Sequence, residues 1–156
     1  MPKSNDQTLK LPVPPPFLLA IFLIVALIFG WKLLIPVASP WWIRLTGSII
    51  LLGGVFLALS AVRELLAHQC SPNPAKPVTE MVTSGPFRMT RNPIYLGFLL
   101  VLAGFPLIFG YYWGCILAPI AGDAFSRLII VREETYLLAR FNQKYFDYQA
   151  KVRRWI

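Results

Sequence analysis

Acidic side chains are scarce in this 156-residue chain: seven Asp and Glu stand against fifteen Lys and Arg, with one histidine and two cysteines. A closed metal site needs about four ligands of the His, Cys or carboxylate type. His68 and Cys70 are too few, and Cys115 lies far along the chain in another segment, so no metal is expected. Cys70 falls in a loop that reads as cytoplasmic, which predicts no disulfide. Glycine-rich phosphate loops, a serine nucleophile elbow and internal repeats are all missing. Their absence argues against P-loop nucleotide hydrolysis, α/β-hydrolase chemistry and a solenoid.

What the chain does have is apolar length. Hydrophobic residues make up 56% and charged ones 14%, and the mean hydropathy is +0.60. In lipid a crossing segment must satisfy its own backbone hydrogen bonds, so apolar runs of bilayer length are read as helices. Four such runs emerge, at about 17–35, 41–66, 94–109 and 113–135. The first is closed by Pro36 and is too long for the apolar core of a signal peptide, so an anchor that stays is expected. Trp41 and Trp42 form an interfacial belt at the start of the second. Its Gly47, Gly53, Gly54, Ala58 and Ala61 allow a neighbouring helix, or a second copy in a homodimer, to approach closely. Gly110-Tyr111-Tyr112 turns the third and fourth segments into a helical hairpin. The expected fold class is all-α: a polytopic membrane helix bundle of about four transmembrane helices plus a C-terminal interfacial amphipathic helix, in one domain spanning 1–156.

Charge orients the bundle. Lys3 and Lys10 precede the first helix, Lys32 and Arg44 flank the first connection, and Arg63, Lys76, Arg88 and Arg91 surround the 67–93 loop. Seven more basic residues follow from Arg127 onward, giving thirteen against two on alternate sides. By the positive-inside rule both termini and the 67–93 loop face the cytoplasm, as in a bacterial inner membrane. The net charge of +8 then serves anionic lipid, and no nucleic acid is needed to explain it.

Polar chemistry concentrates in Thr83 to Gly97. Gly85-Pro86 marks a turn, and Asn92-Pro93 marks a helix start with proline where its missing N–H costs nothing. The exposed N–H groups of such a start, beside Arg88 and Arg91, suit a carboxylate or phosphate; alternatively the two arginines reach for lipid headgroups. Glu133 and Glu134 sit in the stretch where the fourth helix outruns the membrane to end near Asn142. At helical spacing Glu134 is seven residues from Arg127, two turns along one face, and Asp123 is four before Arg127. In the 141–156 tail, Phe141, Tyr145, Tyr148, Val152 and Trp155 form an apolar stripe with Lys144, Lys151, Arg153 and Arg154 off it. That pattern predicts a helix lying on the inner leaflet or closing over the bundle.

Three pieces, TSGPFRMTRNPIYLG, REETYLLARF and QKYFDYQAKVRRWI, taken in order and spacing, resemble the superfamily of isoprenylcysteine carboxyl methyltransferases and phospholipid methyltransferases, small integral membrane enzymes. The resemblance covers about 68–156. It implies an S-adenosylmethionine-dependent methyltransferase with S-adenosylhomocysteine as product. It also implies cofactor contacts at Arg91, Asn92, Pro93 and Tyr95, and at Glu133 and Glu134; Leu96 and Gly97 follow in the same stretch as further candidates, and Tyr145, with Tyr95 and Tyr148, is a candidate wall for the adenine and ribose. Arg127 would orient an acceptor or brace Glu134, and these two are the catalytic candidates. Asn92 stands where the eukaryotic carboxyl methyltransferases have histidine. Asparagine keeps hydrogen bonding but cannot titrate near neutrality. Asn142 replaces a glycine common in the family, a position where asparagine tolerates the left-handed backbone expected there. The glycine-rich turn of the soluble methyltransferase fold is absent. Expected partners are membrane lipids and a lipophilic small-molecule or lipid acceptor presenting a carboxyl, amine or thiol. The alternative is a non-catalytic helical membrane protein, or a degenerate relative serving as a structural subunit.

Overall fold

The computed structural model describes residues 11–33, 40–74 and 76–156, all without a strand among them. Among the described residues six α-helices follow in order: α1 Pro15–Lys32, α2 Trp41–Ala67, α3 Pro93–Ile108, α4 Trp113–Phe125, α5 Val131–Phe141 and α6 Gln143–Lys151. Lys3, Lys10 and the expected close of the first segment at Ile35 and Pro36 lie outside the described residues.

Among the described residues three helical stretches, Pro15–Lys32, Trp41–Ala67 and Trp113–Phe141, are long and apolar enough to cross a membrane, and the apolar α3 is shorter. The protein is a helical membrane bundle. At 1.5 Å per residue, the 27 residues of α2 reach roughly 40 Å, whereas the 16 of α3 reach roughly 24 Å. The longer helix therefore has room to project beyond a hydrocarbon core of roughly 30 Å.

The helix α3 sits between its neighbours, with α2 packed along one side and α1 and α4 on the other. Glycine explains how closely α2 can lie on it. A Cβ added to Gly104 would fall 2.7 Å from the Gly47 carbonyl oxygen, and one added to Gly54 would fall 2.8 Å from that of Gly97. The two helices run antiparallel and cross at two glycine rungs, Gly47 with Gly104 and Gly54 with Gly97. Close backbone approach is what drives helix association where lipid removes the hydrophobic incentive. Two of the glycines that the sequence offers to a second copy are thus engaged inside the chain. Outward on α2, Leu45, Ile49, Leu52, Phe56 and Leu59 are exposed at alternating spacings of four and three, a lipid-facing stripe.

The hairpin forms where it is expected. Beyond Pro106 the chain reverses through Gly110, at φ +79°, while Tyr111 donates its N–H to the Pro106 carbonyl. A core of Leu102, Leu117, Ala121, Phe125, Ile129 and Ile130 fills the space inside the α3–α4 pair.

The fourth segment holds an unexpected feature. Between α4 and α5 the residues Ser126–Ile130 form a π-helical turn, with the Val131 N–H reaching the Ser126 carbonyl five residues back. One extra residue in the turn rotates everything beyond it by roughly 100° relative to a regular helix. This rotation decides which way Glu133 and Glu134 point.

The tail also departs from expectation. The helix α6 stops at Lys151, and Val152 is extended at φ −123°, ψ 129°, so the C-terminal half of the apolar stripe is not helical. Between α5 and α6, Asn142 has φ +47° and ψ −121°. That is the positive-φ region of a type II′ turn, not the left-handed helix.

Candidate functional site

At one end of the bundle, the loop after α2, the start of α3, and α5 and α6 enclose a cleft. Its cavity measures about 150 Å³ and opens to the outside on one side. Its polar wall carries Arg91, Asn92, Glu133, Glu134, Tyr95, Tyr136, Tyr145 and Tyr148, and its apolar wall comes from Leu65, Val78, Met81, Val82, Phe87 and Leu137.

Each polar residue is delivered by a local feature. Gly85, at φ +56°, opens the short 3₁₀ turn Gly85–Arg88, which carries the chain across the cleft. Pro93 begins α3 with Asn92 as its N-cap residue. Tyr95, on the first turn, is buried and stacks on Phe125 with ring centroids 5.5 Å apart. Its hydroxyl donates to Glu133 Oε1 at 2.5 Å.

Glu134 is the focus of charge. Its Oε1 lies 3.3 Å from Arg91 Nη2 and accepts from Arg154 Nε at 3.1 Å, while its Oε2 accepts from Arg154 Nη2 at 2.5 Å. The Arg91 and Glu134 side chains are only 12% and 13% exposed. Two nitrogens of Arg91, Nε and Nη1, are buried with no hydrogen-bond partner among the described residues. Orphaned buried guanidinium N–H groups are costly, and a ligand anion would satisfy them. The carboxylate of Glu133 has a different character. It accepts one hydrogen bond, from Tyr95, and lines the cleft.

Outside the membrane-spanning segments, two tyrosines complete the wall. Burial, and secondly the negative charge of Glu134, push the Tyr145 hydroxyl up to about 12, against a smaller downward pull from Arg91. Burial also raises Tyr148, whose hydroxyl donates to the Phe87 carbonyl at 2.6 Å and so ties α6 to the 3₁₀ turn. Both remain neutral hydrogen-bond donors at physiological pH.

Six of the residues expected at the site, Arg91, Asn92, Pro93, Tyr95, Glu133 and Glu134, meet in the cleft together with Tyr145. Three do not. Gly97 is buried in the crossing with α2 against Gly54 and Ala58, and Leu96 faces a separate groove between α3 and α4. Arg127 is 78% exposed, pairs with Asp123 at 2.8 Å and reaches neither the cleft nor Glu134. The π turn supplies the reason. With an extra residue between them, positions 127 and 134 no longer share a face. Arg88, weighed with Arg91 as an anion partner, is exposed and outside the cleft lining.

Asn92 has a partly structural part to play. Its side-chain amide donates to the Arg154 carbonyl at 3.0 Å, and its backbone N–H donates to Thr90 Oγ1. The partner of Glu134 that sequence reasoning missed is Arg154, read there only as a basic residue off the stripe. Its membership in the QKYFDYQAKVRRWI ending, one of the three pieces carrying the resemblance, was the available signal. Phe87 and Tyr136 had the same signal, lying in TSGPFRMTRNPIYLG and REETYLLARF, whereas Val78, Met81 and Val82 had none, since prolines made the loop look structureless.

His68, the single histidine, sits at the end of α2 between Glu64 and Glu80, with its Nε2 3.2 Å from the Ser84 hydroxyl. Ser84 also donates to Glu64. This network ties the loop to α2, and through Glu80 it touches the cleft wall.

The pattern that defines the phospholipid methyltransferase family matches residues 42–144, more than half of the chain. A protein of Haemophilus influenzae, described as uncharacterized, is 38% identical over 66 residues, which cover 40% of this chain and all of that relative. No solved structure matches.

Proposed function

Since this chain belongs to the phospholipid methyltransferase family, we propose that its cleft binds S-adenosylmethionine and passes the methyl group to a lipophilic small-molecule or lipid acceptor arriving from the bilayer. The observation that carries this reading is the Arg91 guanidinium, with two buried N–H groups unmet among the described residues at the wall of a cleft that also presents carboxylates. The amino-acid end of the cofactor is zwitterionic. Arg91 and the N-terminus of α3 suit its carboxylate. Of the two glutamates, Glu133 suits its ammonium better, because Glu134 is already shared by Arg91 and Arg154. Tyr145, Tyr148, Phe87 and Tyr136 offer aromatic and hydrogen-bonding surface for the adenosine.

The cofactor supplies a methyl group on a sulfonium, already strongly electrophilic. What remains for the chain is to hold donor and acceptor close and aligned and to keep water out. The apolar wall of Leu65, Met81, Val82 and Leu137 serves the second task. Asn92 cannot act as an acid or base near neutrality, and its side-chain amide is engaged by the Arg154 carbonyl. By the distribution of basic residues, we place the cleft, the 67–93 loop and both termini on the cytoplasmic side of a bacterial inner membrane, where the cofactor is available.

The test is methyl transfer. Purified protein in lipid vesicles is incubated with methyl-labelled S-adenosylmethionine and lipid extract from the source membranes, and label is followed into the organic phase. Label there, abolished by Arg91→Ala, is the expected result. Label absent with every extract, from folded protein, counts against an enzyme.

A further inference from the structure

We infer that the C-terminal tail braces the cofactor site from its rim, and that Arg154 is a positioning residue whose guanidinium orients Glu134 and, through it, Arg91. The inference rests on reading the cleft as the site of S-adenosylmethionine.

The tail is held in two independent ways. Its backbone is fixed by the motif at the start of α3. The Arg91 N–H donates to the Arg153 carbonyl at 3.0 Å, and Thr90 Oγ1 and Asn92 Nδ2 both donate to the Arg154 carbonyl, at 2.9 and 3.0 Å. Thr90 and Asn92 are themselves buried. Trp155 packs against the bundle core, and Trp155 and Ile156 border the groove between α3 and α4. None of these contacts uses the Arg154 side chain. That side chain turns the other way, toward Glu134 at the rim of the cleft, and grips it with two parallel hydrogen bonds.

A forked contact of this kind fixes the plane of the carboxylate as well as its position, which a point charge does not do. Because Glu134 Oε1 also meets Arg91 Nη2, the plane of Glu134 sets where the Arg91 guanidinium lies. It thereby sets the aim of the two Arg91 nitrogens that have no partner among the described residues. The order of command runs from Arg154 to Glu134 to Arg91 to the ligand anion. Arg154 is 36% exposed at its side chain, so it can do this from the rim without occupying the cleft.

The separation of backbone seat from side-chain grip makes the idea testable on the full chain. Binding of S-adenosylhomocysteine and of 5′-methylthioadenosine, which lacks the amino-acid end, is measured by calorimetry in detergent for the wild type and Arg154→Ala. Hydrogen exchange at the Arg91 amide reports whether the tail is seated. The expected result is that Arg154→Ala weakens S-adenosylhomocysteine about tenfold or more, as for loss of a charge-assisted hydrogen-bond pair. Methylthioadenosine should stay within about twofold and the Arg91 amide should remain protected, since no charge-assisted contact is lost there. If the alanine variant loses that protection, Arg154→Lys replaces it and should show the same selective loss, because lysine keeps the charge without the fork.

Equal weakening of both ligands would overturn the inference in favour of a general structural role. Tighter binding by Arg154→Ala would overturn it in favour of a tail that obstructs the site. Wild-type protein that binds S-adenosylhomocysteine with unchanged affinity in the variants overturns the role of Arg154 alone. Folded wild type that binds neither ligand overturns the cofactor reading and this inference with it.

Discussion

Between α2 and α3, four glycines bring backbone against backbone at two rungs, whereas the polar cap is joined by side chains: Tyr95 to Glu133, Arg91 and Arg154 to Glu134, Asn92 to the tail, Tyr148 to the 3₁₀ turn. The first region has no slack, because the contacting atoms belong to the chain's own ladder. The second is a set of individually weaker links that meet around a cleft. Steric errors should therefore destroy the first region outright. Polar deletions in the second should change what the cleft binds while the helices persist.

The sharpest way to break this contrast is to overfill a rung. In Gly104→Val the new Cβ would lie 2.6 Å from the Leu51 nitrogen, which forces the helices apart at a cost of about 3 kcal/mol or more. Loss of a monodisperse, helical species in detergent is expected. Gly53→Ala is the control. No atom lies within 4 Å of the added carbon, so the thermal midpoint should shift by no more than about 0.5 kcal/mol equivalent.

On the cap side the largest effect belongs to Arg91→Ala. Truncating one member of a desolvated charge pair costs about 2–5 kcal/mol of binding, so affinity for S-adenosylmethionine should fall about a hundredfold or more while circular dichroism stays unchanged. Tyr95→Phe keeps the stacking on Phe125 and removes only the hydroxyl donated to Glu133. A hydrogen bond to a charged group is worth about 1.5–3 kcal/mol, so binding should weaken about tenfold, again with the fold intact. Unfolding of either variant would show that the cap is as indispensable to the bundle as the glycine rungs are.

Tyr145 gives a pH-dependent probe of the same region. Its charged form is the deprotonated one and its value in the folded protein is raised from 10.0 to about 12. Its contribution to stability is thus complete below pH 10 and is lost as pH rises through about 12. Ultraviolet titration, with Tyr145→Phe as the difference reference, should show this phenolate appearing only near the upper value. The smallest effect is expected from Arg127→Ala. Both side chains of the Arg127–Asp123 pair are well exposed, and neither ligand affinity nor thermal midpoint should change.

The bundle was readable from sequence because its determinants are local. Bilayer-length apolar runs, Pro93 at a helix start and Gly110 at a turn each act within a few residues. The meeting of the Thr83–Gly97 stretch with Glu133 and Glu134 was readable only through resemblance, since nothing in periodicity brings them together. Arg127 was misplaced for one physical reason. The seven-residue spacing to Glu134 assumes a regular helix, and the π turn at Ser126–Ile130 breaks it. Arg154 was hidden by the same kind of assumption. A helical tail would put it off the apolar stripe, toward water or lipid, whereas the extended backbone after Lys151 turns it onto Glu134.

The most direct test of the central claim, that the cleft around Arg91 and the two glutamates holds the methyl donor, is calorimetric titration of the purified wild-type protein with S-adenosylmethionine, with Glu134→Ala in parallel. The account predicts saturable binding by the wild type, and its loss in the variant with helical content unchanged. No binding by folded wild type, with lipid added, would contradict it, and so would a Glu134→Ala variant that binds as the wild type does.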